Sequence, residues 1–192
     1  MIPIPVPFAT LKAFYPMRPL SGELKTFMDN LNKPFPQKGP DGKPIIGPDR
    51  KPVMVQPKNT PCCIQVSHAL NMAGQKVPQT YQDARRSNTL ITVNGISNYY
   101  LLAVDELEKW MTQRYGCGIN LSALAGLPKQ QRQAIQQMQA FLAGIKGILL
   151  FRDAGYGLHT ELWDGSQILQ RDMDEPHLFS QPRVLFWYCA LT

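Results

Sequence analysis

The sequence predicts an α+β fold, with helices in the first part of the domain and an antiparallel sheet at its end. Three observations carry this reading. Residues 60–74 repeat apolar side chains at helical spacing between a start signal and a stop signal. From residue 147 the period becomes that of strands, in apolar runs separated by turn residues. Ahead of both, residues 1–61 hold 13 of the 17 prolines. That shift marks a proline-rich arm, 1–58, packed on a domain, 59–192. Helices followed by strands, not alternating with them, favour segregated layers over a parallel sheet.

Bulk composition narrows the function classes. The chain has 192 residues, 44% hydrophobic and 18% charged, ordinary values for one domain with a real core. Its net charge is +6, from 20 basic and 14 acidic residues, which suits an anionic partner. No lysine/arginine cluster with interleaved aromatics exists, so nucleic acid is not the expected partner. No apolar run approaches membrane-spanning length. The start, Met1 to Phe8, is broken by prolines and lacks a basic n-region, so no signal peptide is expected and synthesis is expected in a cytoplasm. The cysteines, Cys62, Cys63, Cys117 and Cys189, are irregularly spaced without a CxxC element. Neither a disulfide framework nor a zinc site is expected, and no cofactor is required.

In the arm, Gly39-Pro40-Asp41-Gly42-Lys43-Pro44-Ile45 is echoed by Gly47-Pro48-Asp49-Arg50-Lys51-Pro52-Val53. Each copy reads as a turn followed by a short apolar piece, which suits a hairpin. One helix is predicted from Ser21 to Leu31, with Leu24, Phe27, Met28 and Leu31 on one face.

The domain opens with a helix that begins at Cys62. Thr60 is a good N-cap, Pro61 fits the first helical position, and Gly74 suits a left-handed C-terminal cap. Val66, Ala69, Leu70 and Ala73 recur at helical spacing with Cys62. A first-turn thiol meets unpaired N–H groups and the positive end of the helix dipole, and both favour the nucleophilic thiolate. Cys63 lies about 100° round the helix and reads as packed.

A polar stretch follows, Gln79 to Asn98, with turn signals at Asn88 and Asn94-Gly95. A second helix is predicted from Asp105, where Asp105-Glu106-Leu107-Glu108 has capping-box spacing, to Gly116. A third starts with Pro128 in its first turn and carries Ile135, Met138, Phe141 and Leu142 before Gly144. Gly147–Phe151 reads as a buried strand. Leu158–Trp163, Ile168–Met173 and Val184–Leu191 read as further strands, the first two joined through Asp164-Gly165.

Three histidines compete to partner Cys62. His68 lies about 9 Å further along the same helix and well off its face, so it is excluded. His177 sits in a proline-flanked loop, where a solvated surface role is expected. His159 shares a strand face with Glu161 and Trp163, opposite Leu158, Thr160 and Leu162, as in a sheet lining a cleft. A cysteine–histidine pair needs a third group to hold the imidazole. A two-residue turn at Asp164-Gly165 pairs Trp163 with Ser166 and sets His159 opposite Gln170. A four-residue loop pairs Trp163 with Ile168 and sets His159 opposite Asp172. Glu161 points the same way but lies along the same strand. Gln170 and Asp172 both remain candidates.

These motifs resemble a known family. Cysteine at a helix start and histidine on a strand form the layout of papain-like NlpC/P60 peptidases. Cys62-Cys63-Ile64-Gln65-Val66-Ser67-His68-Ala69-Leu70-Asn71 is similar to the "C-x-I-R-x-S-x-x-L-N" helix of family 4 of the type VI secretion amidase effectors. His159-Thr160-Glu161-Leu162-Trp163-Asp164-Gly165 resembles that family's "G-H-x-x-L-W-x-G" strand, with Leu158 where the family has glycine. Gln65 stands at the usual arginine. The family's third residue, an aspartate, falls on Gln170 without gaps and on Asp172 with a shift of two.

The resemblance, over roughly residues 59–188, implies a papain-like NlpC/P60 fold and a DL-endopeptidase. Such an enzyme cuts the peptidoglycan stem between D-glutamate and diaminopimelate. It also implies delivery by type VI secretion machinery into a rival's periplasm, and a cognate immunity protein. In that reading Cys62 attacks, His159 moves the proton, and the Cys62 backbone N–H stabilises the oxyanion, with Asn59 or Gln56 as candidate side-chain donors. A cysteine protease or deamidase acting on protein, and a non-enzymatic secretion adaptor docked through the arm, are the competing readings.

Overall fold

A computed structural model describes residues 1–57, 59–79, 89–124 and 131–190. The turn expected at Asn88, the helix start at Pro128 and the last residue of the expected final strand, Leu191, lie outside them. In chain order the elements are β1 (Ile4–Pro7), α1 (Phe8–Phe14), α2 (Gly22–Leu31), β2 (Phe35–Pro36), β3 (Met54–Val55) and α3 (Cys62–Met72). Then follow β4 (Thr89–Val93), β5 (Ile96–Tyr100), α4 (Val104–Tyr115), β6 (Ile119–Asn120), α5 (Leu121–Leu124) and α6 (Gln131–Leu142). The chain ends with β7 (Gly147–Arg152), β8 (Gly157–Trp163), α7 (Glu175–Phe179) and β9 (Arg183–Ala190).

The main sheet has the order β1-β9-β7-β8, with β6 also paired to β9. Its centre is antiparallel: β7 sets Phe151 opposite His159 on β8, and opposite Val184 on β9. Alternation along the two central strands divides the core. Ile148, Leu150, Leu185 and Trp187 pack with α1, α3 and α4 on one side, while Leu149, Phe151, Val184 and Phe186 pack with α6 and α7 on the other. Both faces are covered, which explains the unbroken apolar run in β7. Leu150 is fully buried at this centre. Leu150→Ala is expected to cost about 2–5 kcal/mol, read as a lower urea midpoint at unchanged slope.

The N-terminal segment is more structured than its prolines suggest. β1 runs parallel to the end of β9, with Ile4 beside Cys189. Pro3, Pro5 and Pro7 alternate with Ile4 and Val6, and the apolar pair is what faces the core. At a sheet edge a missing N–H is tolerated, so the prolines disguise a strand without preventing it. α1 follows and packs on α3. α2 appears as expected, burying Leu24 and Met28 under the β4–β5 hairpin together with Ile64, Ile91 and Tyr100. That hairpin turns at Asn94 and Gly95, both at positive φ (48° and 77°), the backbone a two-residue type I′ turn needs.

The repeated arm motif forms two matching turns, closed by Gly39 N–H to the Lys43 carbonyl and Gly47 N–H to the Lys51 carbonyl, each at 2.8 Å. Three short extended pieces then bond in a ring: Ile45 N to Gln37 O, Val53 N to Ile45 O, and Gln37 N to Val53 O.

Other expectations need correction. Ile168–Met173 is not a strand. The four-residue loop does form, with Trp163 opposite Ile168, but pairing stops there as an isolated bridge. Asp164 closes the loop by accepting from the Ser166 and Gln167 N–H groups, and its carboxyl is held below its ordinary value even though partial burial pushes the other way. The chain then enters α7, capped by the Asp174 side chain on the His177 N–H, so His177 lies in a short helix and not a loop. The capping box at α4 does not form. The helix starts at Val104, and Asp105 instead accepts from Gly157 N–H at 3.0 Å and pairs with Arg152. Phe141, expected on the buried face of α6, is 45% exposed, while Met138 and Leu142 are buried.

Candidate active site

α3 is buried along nearly its whole surface, with only His68 and Met72 partly exposed, so the single apolar stripe read from the sequence understates it. Its polar residues are buried too, and each has work inside the protein. Ser67 Oγ accepts from Leu101 N–H at 3.2 Å. Asn71 donates to the Tyr99 carbonyl at 2.7 Å and accepts from Val77 N–H at 2.9 Å. These bonds tie the helix to Val77 and to the segment around Tyr99 and Leu101. The helix ends as expected: Gly74 takes φ +85°, with Gln75 N–H on the Leu70 carbonyl and Gly74 N–H on the Asn71 carbonyl, the Schellman pattern.

Its N-terminus differs from expectation. Pro61 is the cap residue, and its carbonyl accepts the first helical bond from Gln65 N–H at 2.9 Å. Thr60 does not cap the helix. Its hydroxyl lies 3.6 Å from Cys62 Sγ and becomes part of the site. Cys62 is 3% exposed and forms the floor of a cleft of about 190 Å³. The walls are Asn59 and Thr60 on one side, Ala103 to Asp105 at the start of α4, and Gly157 with Leu158 entering β8. Gly157 permits the close approach of α4: a Cβ there would sit 2.5 Å from Val104 Cβ.

His159 comes to Cys62 from β8, close enough that each side chain shifts the other's charge. Their charges are displaced in opposite directions. The Cys62 thiol is held well below its ordinary value, chiefly by a hydrogen bond from Cys63; burial opposes this, and the His159 contact and Thr60 add to it. For His159 burial is the largest influence and would lower it. The nearby Cys62 and Glu161, with their negative charges, together outweigh burial and lift it to about 9. Both shifts favour a thiolate–imidazolium pair at neutral pH. Cys63 is pushed well up, mainly because it donates to Cys62, so it acts as a support for the thiolate. All four cysteines are free, and Cys189 is raised by burial to about 12.

The third-group candidates separate clearly. Asp172 is 59% exposed and pairs with Arg18 at 3.3 Å. Gln170 is buried, but its Oε1 accepts from Arg18 N–H at 3.0 Å and from Gln65 Nε2 at 3.4 Å. Gln65 also donates to the Pro16 carbonyl at 2.7 Å. The two amides therefore clasp residues 16–18 onto α3. The strand that was to set either candidate opposite His159 is absent. Glu161, set aside from sequence because it shares the strand, is the carboxylate that lies at His159: Oε2 is 3.6 Å from Nε2. Tyr15 joins it from the N-terminal segment, its phenol pushed well up by burial first and then by Glu161.

Other candidates are spent elsewhere. Asn59 donates to the Leu31 carbonyl and to Asn32, and Gln56 donates to the Asn32 carbonyl, so both anchor the loop to α2 and neither is poised as an oxyanion donor. His68 stacks on Tyr100 with Nδ1 2.8 Å from its hydroxyl, and burial lowers its pKa. Among the described residues no group of three or more His, Cys, Asp or Glu is placed to hold a metal, and no helix is long and apolar enough to cross a membrane.

Only the Cys62, His159 and Glu161 part of this site had a local signal in the sequence. Tyr15 and the Gln65–Gln170 clasp had none, because they join residues far apart in the chain.

Comparison with known proteins bears on the same residues. The crystal structure of the type VI effector Tae4 from Enterobacter cloacae matches with a TM-score of 0.59 at 16% identity, over 99% of this chain and 100% of that one. This supports the shared mixed fold. The effector–immunity system Tae4/Tai4 from Salmonella typhimurium matches at 23% identity with a TM-score of 0.44, over 68% of this chain and 74% of that one. A complex of the Salmonella typhimurium effector with the immunity protein Tai4 from Enterobacter cloacae matches at 21% identity with a TM-score of 0.44, covering 68% and 76%. No curated protein matches the chain. The model of the family described as type VI secretion system (T6SS), amidase effector protein 4, matches residues 58–187, more than half of the chain and the part holding Cys62, His159 and Glu161. The chain therefore belongs to the type VI secretion system amidase effector 4 family.

Proposed function

We propose that this amidase effector is a papain-like NlpC/P60 cysteine peptidase. It hydrolyses the D-glutamate–diaminopimelate bond of the peptidoglycan stem, in the periplasm of a target bacterium reached by type VI secretion. A cognate immunity protein would protect the producing cell, as the effector–immunity pairing of the related structures suggests. The net charge of +6 suits an anionic polymer.

The observation that carries the chemistry is the meeting of Cys62, in the first turn of α3, with His159 on β8, one lowered and the other raised. In the reaction the Cys62 thiolate attacks the amide carbonyl carbon, and the carbonyl oxygen becomes an oxyanion. The Cys62 backbone N–H belongs to the first turn, whose donors lack intrahelical acceptors, and is the natural group to receive that charge. The His159 imidazolium gives its proton to the amine nitrogen, the C–N bond breaks and a thioester remains. Neutral His159 then takes a proton from water, the hydroxide attacks the thioester, and the thiolate is released.

The test is digestion of purified Gram-negative sacculi by the full chain beside Cys62→Ala, with products identified by mass spectrometry. Fragments cut after D-glutamate, absent with the variant, support the proposal. Intact sacculi with turnover of a protein substrate would overturn it.

A further inference from the structure

We infer that Glu161 is the positioning residue of this site: its buried carboxylate holds His159 by Nε2, leaving Nδ1 to face Cys62, and Tyr15 closes the carboxylate from the N-terminal segment. This rests on the proposed cysteine–histidine chemistry and names what holds the histidine.

Burial makes the pairing necessary. Glu161 is 0% exposed, and a carboxylate with no water must be paired or hydrogen-bonded. Oε1 accepts from Leu162 N–H at 2.9 Å, which fixes the side chain along its own strand. Oε2 is 3.6 Å from His159 Nε2, and neither atom has a hydrogen-bond partner among the described residues. The Tyr15 hydroxyl is buried without another partner as well, beside the same carboxylate. Three buried polar atoms without other hydrogen-bond partners thus belong to neighbouring side chains, with Arg18 also acting on Tyr15. A gap of 3.6 Å is an ion-pair distance, longer than a formed hydrogen bond.

Strand geometry explains why this residue is a glutamate. Side chains two apart on a strand stand side by side, about 6.5–7 Å apart. Glutamate is long enough to lean back to the neighbouring ring. Gln170 is already committed to Arg18 and Gln65, and Asp172 to Arg18 at the surface.

The groups facing the imidazole are few. α3 brings Cys62, with Cys63 behind it, and the segment after α1 brings Tyr15, with Arg18 acting on it. β7 brings only the Phe151 ring, stacked at 6.2 Å. From α4, Asp105 and Glu106 act on Cys63. Among the described residues, Glu161 is the carboxylate placed against His159 itself.

The experiment is a histidine C–H NMR titration of the full chain, with His68 and His177 as internal references. In the wild type the His159 imidazolium should persist to about pH 9. Glu161→Gln should lower that midpoint by about 1–3 pH units and slow alkylation of Cys62 by iodoacetamide at pH 6. Asp172→Asn and Gln170→Ala should leave the midpoint in place. An unmoved midpoint in Glu161→Gln overturns the assignment. So does an equal fall in Asp172→Asn, a surface change that folds even where Glu161→Gln does not. Neither readout needs substrate. If the titration behaves as expected while sacculi stay intact, the amidase reading fails and Glu161 keeps its role.

Discussion

Cys62→Ala is expected to abolish bond cleavage, on the order of 10⁴-fold or more, while leaving the protein folded. The size follows from the chemistry, since without the thiolate no covalent intermediate can form. What remains is a bare cleft and its backbone donors. The fold should tolerate the change, because Cys62 lies at the end of the core and faces the cleft. The check is mass spectrometry of sacculus digests beside a thermal melt of the same variant. Cys63→Ala gives the contrast. It removes the strongest influence that lowers the Cys62 thiol, so alkylation of Cys62 near pH 6 should slow while cleavage persists at higher pH. A Cys62→Ala protein with full activity would remove the nucleophile from the proposal.

His159→Ala is expected to lose on the order of 10³-fold or more, by two routes. It deletes the acid that protonates the leaving amine and the base that activates water. It also removes the positive charge that, with Cys63, offsets the burial of the Cys62 thiolate. The pH dependence separates the two. His159 is raised in the folded protein, so its favourable interaction is complete below the ordinary imidazole value and fades as pH rises through about 9. Cys62 is lowered, so its contribution fades as pH falls through its folded value. The ion pair exists between these limits, and wild-type kcat/KM should fall on the alkaline side near pH 9. In His159→Ala that alkaline limb should vanish. Iodoacetamide should also modify Cys62 at pH 6 at least about tenfold more slowly, as the thiol climbs back toward its ordinary value.

Much of the site was legible because its signals are local. Cys62 shows itself by position, between Pro61 and a helical repeat that stops at Gly74. His159 shows itself by alternation and by the exclusion of His68, which sits six residues along the same helix and off the Cys62 face. The structure does not set Gln170 or Asp172 opposite His159, for a definite reason. The four-residue loop at Asp164 is one of the two registers the sequence allows, but reaching Asp172 requires the strand to continue. It ends after Ile168, because the chain turns away to build α7 and the amide clasp of Gln170. The prolines hid β1 in the same way: composition argued for a loop, and pairing with β9 overrode it.

From sequence alone this chain determines its helix and strand periods, the α+β order of its layers, the helix that carries Cys62 and the histidine that can reach it. All of these rest on spacings of a few residues, which the backbone geometry of helices and strands dictates. Only the tertiary structure decided that β1 joins the main sheet, that Thr60 faces the thiol it was expected to cap past, and that Tyr15 and Glu161 meet at His159. Those contacts join residues far apart in the chain, or depend on which buried polar group lacks any other partner. That is settled by packing, once water has been excluded and every remaining donor and acceptor must find its match inside.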